Sequence, residues 1–198
     1  MKAVITLVCT FLLARQMSAQ VSMVDCVKNI FTKADSVSAA GKNPFEEWTV
    51  CVLGKPMPAF AARSISGDSV EMSRFRGKVV VINFWFIDCA PCIAEIPAMN
   101  NLAREYSGRN VELLAMTWES PKRIKEEFLV KHKLDFRIIP VGVNVIGGLI
   151  ASGFPTTFII DGDGIIRSAW NGGATGEAAR TEFYDKAKPV IDQLLSKK

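Results

Sequence analysis

Residues 84–92 read F-W-F-I-D-C-A-P-C, which sets two thiols, Cys89 and Cys92, three residues apart around Ala90 and Pro91. Three chemistries use such a pair. A structural zinc site needs two more ligands, and the remaining candidates, Cys26, Cys51 and His132, include no second closely spaced pair. A structural disulfide across so short a loop removes little chain entropy and stabilises little. Thiol–disulfide exchange asks for an asymmetric pair, and the local pattern supplies one. The apolar run ends near Ile87 and a helix is predicted from Pro91, so Cys89 falls at a helix N-terminus, where free N–H groups and the macrodipole favour an anion. Cys92 lies one turn inside. The pattern therefore predicts an exposed Cys89 that attacks a partner disulfide and a covered Cys92 that resolves the mixed disulfide. Pro91 suits the first helical turn, where its missing N–H costs nothing.

The elements that must hold these thiols are legible on either side. Residues 78–86, K-V-V-V-I-N-F-W-F, are apolar nearly throughout and rich in β-branched residues, the pattern of a strand buried on both faces. A helix is predicted over 91–106, a second apolar strand over 111–117, and a further helix opening at Ser120 and Pro121 and running to about Lys133. Strand, helix, strand, helix is the grammar of a parallel sheet. The last third reverses it: strands over 156–160 and 165–170 flank D-G-D-G, a tight-turn signal, and a turn at Asn171, Gly172 and Gly173 precedes a terminal helix from about Glu177 that Pro189 kinks or splits. A short hairpin is predicted over 59–72, turning at Ser66, Gly67 and Asp68. The expected class is α/β, a mixed central sheet with helices on both faces, preceded by an N-terminal extension over 21–52 with a candidate amphipathic helix at Met23, Val24, Val27, Ile30 and Phe31.

Residues 1–20 carry one charge at Lys2, an apolar run, then Arg15 and the small and polar Ser18, Ala19 and Gln20. This is the layout of a secretory signal peptide, cleaved after Ala19 or Gln20, and it implies an exported, periplasmic or envelope protein. A retained anchor is the weaker alternative, because the run falls short of the roughly 18–20 residues that span a bilayer. Cys9 reads as a hydrophobic filler inside it. Formal charge is +4 and falls to +2 without Lys2 and Arg15, and no polybasic cluster occurs, so nucleic acid is not an expected partner. The chain beyond the signal keeps an even set of cysteines, which in an exported protein invites disulfides, and Cys26 with Cys51 is the pair left to form one; two free thiols are the alternative.

V-I-N-F-W-F-I-D-C-A-P-C-I-A-E-I-P, the later G-F-P-T-T-F-I-I-D-G-D-G and the earlier G-K-P-M-P-A-F together resemble the TlpA/ResA-type thiol-disulfide oxidoreductases, exported members of the thioredoxin superfamily. The resemblance covers residues 53–198 and implies a thioredoxin fold there. It implies that Pro155 is a cis-proline facing the dithiol, that Pro97 bends the active-site helix, and that Phe154 and Thr156 beside Pro155 meet the partner's extended segment. Trp85 is either core or a floor to that site. Thioredoxin resembles this chain but carries a buried aspartate where Asn83 stands, and Asn83 cannot take a proton. Glu95, three residues past Cys92 and so on the same helix face, matches a glutamate that ResA-like proteins keep beside the dithiol and is the expected proton acceptor for Cys92; a solvent-facing helix carboxylate is the alternative. Asp88 departs from the family, which usually has tryptophan immediately before the first cysteine. A carboxylate within about 4–6 Å of Cys89 would oppose its thiolate and favour the disulfide, and Ala90 and Pro91 complete the residues expected to tune the couple.

The resemblance implies an enzyme that reduces disulfides of envelope proteins, with cytochrome c maturation as the family precedent. A disulfide oxidase or isomerase is the alternative on the same fold, and Asp88 argues against it. A thiol peroxidase would place threonine where Phe86 stands. A binding module without catalysis is disfavoured by the joint presence of both thiols, Glu95 and Pro155. No metal, nucleotide or flavin site is legible, so no cofactor is expected, and electrons would arrive from another thiol protein such as a membrane transporter. His132, among lysines, reads as solvated.

Overall fold

The computed structural model describes residues 25–28, 32, 34–149 and 153–196. The signal peptide and most of the candidate amphipathic helix lie outside these residues. Helix α1 (Pro44–Val52) comes first among the labelled elements, followed by a two-stranded antiparallel hairpin, β1 (Ala61–Arg63) and β2 (Ser69–Glu71). Then come β3 (Val79–Phe84), helices α2 (Ala90–Ala94) and α3 (Ile96–Glu105), and β4 (Val111–Thr117). Helix α4 (Pro121–Arg123) passes directly into a π-helical turn (Ile124–Phe128). The chain ends with β5 (Arg137–Pro140), α5 (Val143–Leu149), β6 (Thr156–Ile160), β7 (Ile166–Asn171) and α6 (Ala179–Ser196).

The central sheet runs β5-β4-β3-β6-β7. β3 pairs parallel with β4 and antiparallel with β6, and this is where the βαβ half meets the C-terminal hairpin. Every residue of β3 is buried. Because side chains alternate along a strand, Val80, Ile82 and Phe84 join one core, with Trp48, Val52 and Phe158, while Val79, Val81 and Trp85 join the other, with Met99, Leu102, Phe183 and Ile191. Asn83 shares the second face. The D-G-D-G turn forms as read: Asp161 Oδ1 accepts from the Asp163 and Ile165 N–H groups, and Gly164 takes a φ of +79°, which a side chain would strain.

The structure redraws several predicted elements. The helix over 91–106 is two helices that meet at Glu95. Pro97 has no N–H for the Ile93 carbonyl, which is instead approached by the Glu95 N–H, and the helix restarts with Pro97 in its first turn. The helix from Ser120 is capped as predicted, with Ser120 Oγ accepting from the Arg123 N–H at 3.2 Å, but it ends at Phe128 rather than Lys133. α6 runs continuously through Pro189. β5 and α5 were not anticipated; β5 is a four-residue edge strand, where Pro140, opposite Thr117, can lack an N–H.

The stretch treated as an extension contributes core. Trp48 and Val52 are fully buried, Trp48 packs 5.6 Å from the Phe158 ring, and a Cys26–Cys51 disulfide ties the preceding segment to α1. α1 begins with Asn43 Oδ1 accepting from the Phe45 N–H at 2.9 Å, Pro44 in the first turn, and Glu46 and Glu47 near its positive end.

Candidate functional site: a disulfide beside a buried carboxyl

Cys89 is the N-cap of α2 and is joined to Cys92 by a disulfide. Its Sγ accepts from the Cys92 N–H at 3.3 Å, so the free helix-end donor reaches the sulfur expected to become a thiolate. The expected contrast in exposure is absent, for Cys89 is 5% and Cys92 2% exposed. Both sulfurs belong to the core that includes Trp85, with Phe86, Ile87, Ile93 and Phe154 packed against it. Ala90 is exposed and Pro91 partly so, leaving the two residues between the cysteines as the surface above the disulfide.

Glu95 is buried, 3% exposed, at the junction of α2 and α3. Strand register explains what it meets. Asn83 on β3 lies directly opposite Thr157 on β6, and the Asn83 amide donates both to Thr157 Oγ1 at 3.0 Å and to Glu95 Oε1 at 2.8 Å. Burial raises the Glu95 pKa from 4.5 to about 8; the Asn83 hydrogen bond opposes the rise, the Glu182 charge adds to it, and Lys186 opposes it. At pH 7 the carboxyl is thus about ten parts protonated to one ionised. Glu95 is no solvent-facing helix carboxylate.

The Phe154–Pro155 bond is cis. Pro155 is buried and its carbonyl accepts from the Gly172 N–H at 2.8 Å. Thr156 is fully buried, donating to the Gly153 carbonyl at 2.7 Å and accepting from Asn171 Nδ2 at 2.7 Å, so it braces the loop instead of facing a partner. Trp85 is likewise placed in the core, 3% exposed with its ring 4.4 Å from Phe128, in the cluster that also holds both cysteines. Of the four residues expected to meet a partner, Phe154 alone keeps an accessible face. Among the described residues nothing bonds its backbone N–H or carbonyl, leaving an edge to which an extended segment can pair.

Asp88 is placed differently from the expectation. Its side chain is 74% exposed and turns to Arg123, 3.4 Å away, so its charge is countered by a guanidinium and screened by water. Arg123 sits at the centre of three carboxylates, with Glu119 at 2.8 Å and Glu127 at 2.9 Å. Glu119, buried at 5% exposure, also accepts from the Ile87 N–H at 3.2 Å and so fixes the loop that carries Cys89. Trp118, 40% exposed, stacks on Phe86 at 5.2 Å and meets the edge of Phe154 at 4.5 Å, forming an aromatic wall beside the disulfide. Sequence reasoning passed over Trp118, Glu119 and Arg123. The capped helix start at Ser120 places them at the C-terminal end of β4, next to that of β3, where α/β sheets gather their sites, and that was the available signal. His132 rests on the Phe128 ring, 5.3 Å away.

Comparison with known proteins gives the family. Residues 53–169 match the model of the AhpC/TSA family. The chain is 32% identical over 148 residues to the thiol-disulfide oxidoreductase ResA of Halalkalibacterium halodurans, covering 74% of this chain and 84% of that one. It is 35% identical over 136 residues to ResA of Geobacillus kaustophilus, covering 68% and 78%. In three dimensions it is similar to a thiol:disulfide interchange protein from Bacteroides sp., with a TM-score of 0.58, 18% identity and coverage of 71% and 90%, a likeness of fold. With a thioredoxin-type sheet, a disulfide at the end of its central strand and these relatives, the chain belongs to the AhpC/TSA family of the thioredoxin superfamily and is a thiol-disulfide oxidoreductase of the ResA type.

Proposed function

We propose that this oxidoreductase works through the Cys89–Cys92 dithiol as a reductant of protein disulfides in the cell envelope, the class of reaction needed in cytochrome c maturation. Residues 1–20 act as its export signal, and the catalytic domain spans 53–198. The observation that carries the reading is the buried Glu95, whose pKa of about 8 nearly matches an ordinary thiol at about 8.5. Proton transfer between such groups costs little in either direction.

The Cys89 thiolate attacks one sulfur of a partner disulfide; an S–S bond forms to Cys89 and the partner's second sulfur leaves as a thiolate. Cys92 then gives its proton to ionised Glu95 and attacks Cys89 Sγ, forming the Cys89–Cys92 disulfide and expelling the partner's first thiolate. The partner has gained two electrons and the dithiol has lost them. A second thiol protein, on or across the membrane, restores the dithiol by the reverse sequence. Phe154 offers its backbone groups, which no described residue bonds, to the partner's extended segment, and the Trp118–Phe86–Phe154 wall covers the flanking residue. Burial of both sulfurs supports a reductant over an oxidase: the thiolate form gains one N–H bond at Cys89 but loses water, so the disulfide is favoured.

Trapping tests this reading. Cys92→Ser removes the resolving step and keeps attack, so reductant-sensitive covalent complexes with envelope proteins should accumulate through Cys89. Equal trapping by Cys89→Ser would refute the division of roles.

A further inference from the structure

Glu95 is enclosed on one side by a loop that the redox reading does not otherwise use. Residues 171–174 begin at the last residue of β7 and lead out of it, and three hydrogen bonds fasten the loop's start to the Pro155 segment. The Gly172 N–H donates to the Pro155 carbonyl at 2.8 Å, and Asn171 Nδ2 donates to the Gly153 carbonyl at 3.0 Å and to Thr156 Oγ1 at 2.7 Å. Gly173 closes over the site. A Cβ built on it would lie 3.0 Å from Glu95 Oε2 and 3.2 Å from Pro155 Cγ, tighter than most side-chain carbons pack, so any side chain at 173 would force the loop and its neighbours apart by a few tenths of an ångström. At the loop's far end the Ala174 N–H donates to Glu182 Oε2 at 2.5 Å. The other carboxylate oxygen of Glu182 is taken by Lys186, one turn along α6, at 2.7 Å.

We infer that Glu182 is a positioning residue for the Glu95 acid–base group, holding the 171–174 loop closed over it and so keeping water from its carboxyl. This rests on the proposed role of Glu95 and adds what sets that role. Among the described residues, the polar and charged groups around Glu95 are Asn83 and Thr157 from the sheet and Glu182 and Lys186 from α6, with Gly173 and Pro155 closing the apolar side. Opening the loop admits water, and losing the Glu182 charge removes a repulsion; both act in the same direction, favouring ionised Glu95. Lys186 would be left unpaired by the loss of Glu182 and adds to that direction. A merely structural Glu182 would alter stability and leave proton chemistry unchanged.

The pH dependence of disulfide reduction separates these cases, measured on the full chain with a small disulfide whose own pKa values are known. Glu95→Gln should abolish the limb of the profile centred near pH 8. Glu182→Ala should keep that limb and move its midpoint down by about one pH unit, while the amides of Gly172 and Ala174 exchange faster with solvent. Glu182→Gln retains an acceptor for the Ala174 N–H and should keep those amides protected, with a smaller shift. On the Glu95→Gln background, Glu182→Ala should have no further effect on the profile. If Glu182→Ala does not fold, Gly173→Ala asks the same question by pushing the loop off Glu95 and should shift the midpoint in the same direction. An unmoved midpoint in the folded loop variant, with Glu95→Gln still flattening the profile, overturns the inference alone. A profile untouched by Glu95→Gln overturns the role of Glu95 and the inference with it.

Discussion

Replacing Glu95 with glutamine should make the protein more stable at alkaline pH while impairing its chemistry. In the unfolded chain the carboxyl ionises near 4.5, whereas burial raises its pKa to about 8 in the folded protein. Between these values the folded state holds a proton that the unfolded state has released, so stability falls as pH rises, by up to about 1.4 kcal/mol per pH unit. The favourable balance is complete below pH 4.5 and lost by about pH 8. Integrated over the interval, the loss is at most roughly 5 kcal/mol, and relaxation that admits water to the carboxylate reduces it, so we expect roughly 2–4 kcal/mol. Glutamine keeps the volume and the acceptor for the Asn83 amide, 2.8 Å away, but has nothing to ionise. Urea unfolding of the oxidised protein from pH 4 to 9 should therefore give curves that agree at pH 4 and diverge above pH 5, with Glu95→Gln the more stable. Every other titrating group is common to both proteins, so the difference isolates Glu95. Stability curves that run parallel across this range would refute the burial argument.

Asp88→Asn should shift the reduction potential of the couple by less than about 10 mV, because the carboxylate is exposed and paired with Arg123. Arg123→Ala, which frees Asp88, should lower the potential, and equilibration with glutathione measures both; a shift of 20–30 mV or more in Asp88→Asn would restore a direct effect of Asp88 on Cys89. Removing the Cys26–Cys51 disulfide by a double Cys→Ser change reopens a loop with a sequence separation of 25 and should cost about 3 kcal/mol in urea unfolding. A loss below about 1 kcal/mol would mean that the segment before α1 contributes little to the fold.

The sequence and the structure agree wherever a pattern is local and long. The apolar run over 78–86 could only be a doubly buried strand, and it positions Asn83, Cys89 and Glu95 in order. The start of α1 carried its signal too, in N-P-F-E-E, but weak apolar periodicity over 21–52 hid that Trp48 completes the main core. β5 is four residues of an edge strand and cannot be told from a loop by pattern. What no local pattern holds is the direction of a polar side chain. Asp88 adjoins Cys89 in sequence, yet its partner Arg123 comes from helix α4, and the burial of Glu95 depends on β6, on α6 and on Gly173, 78 residues downstream. For the same reason the exposure expected of Cys89 failed: a helix N-terminus predicts a free donor, and it is there, but whether the sulfur is covered depends on side chains from other elements, such as Phe154, that pack against the same core.

The reduction potential of the Cys89–Cys92 couple, taken at pH 7 against a thioredoxin of known potential, tests the central claim most directly. Two buried sulfurs with one N–H donor between them and a mostly neutral carboxyl nearby give the thiolate little support, so the couple should lie near the thioredoxin value of about −270 mV and the dithiol should reduce protein disulfides. A value near −120 mV, that of a strong oxidant, would contradict the account and make the protein a donor of disulfides.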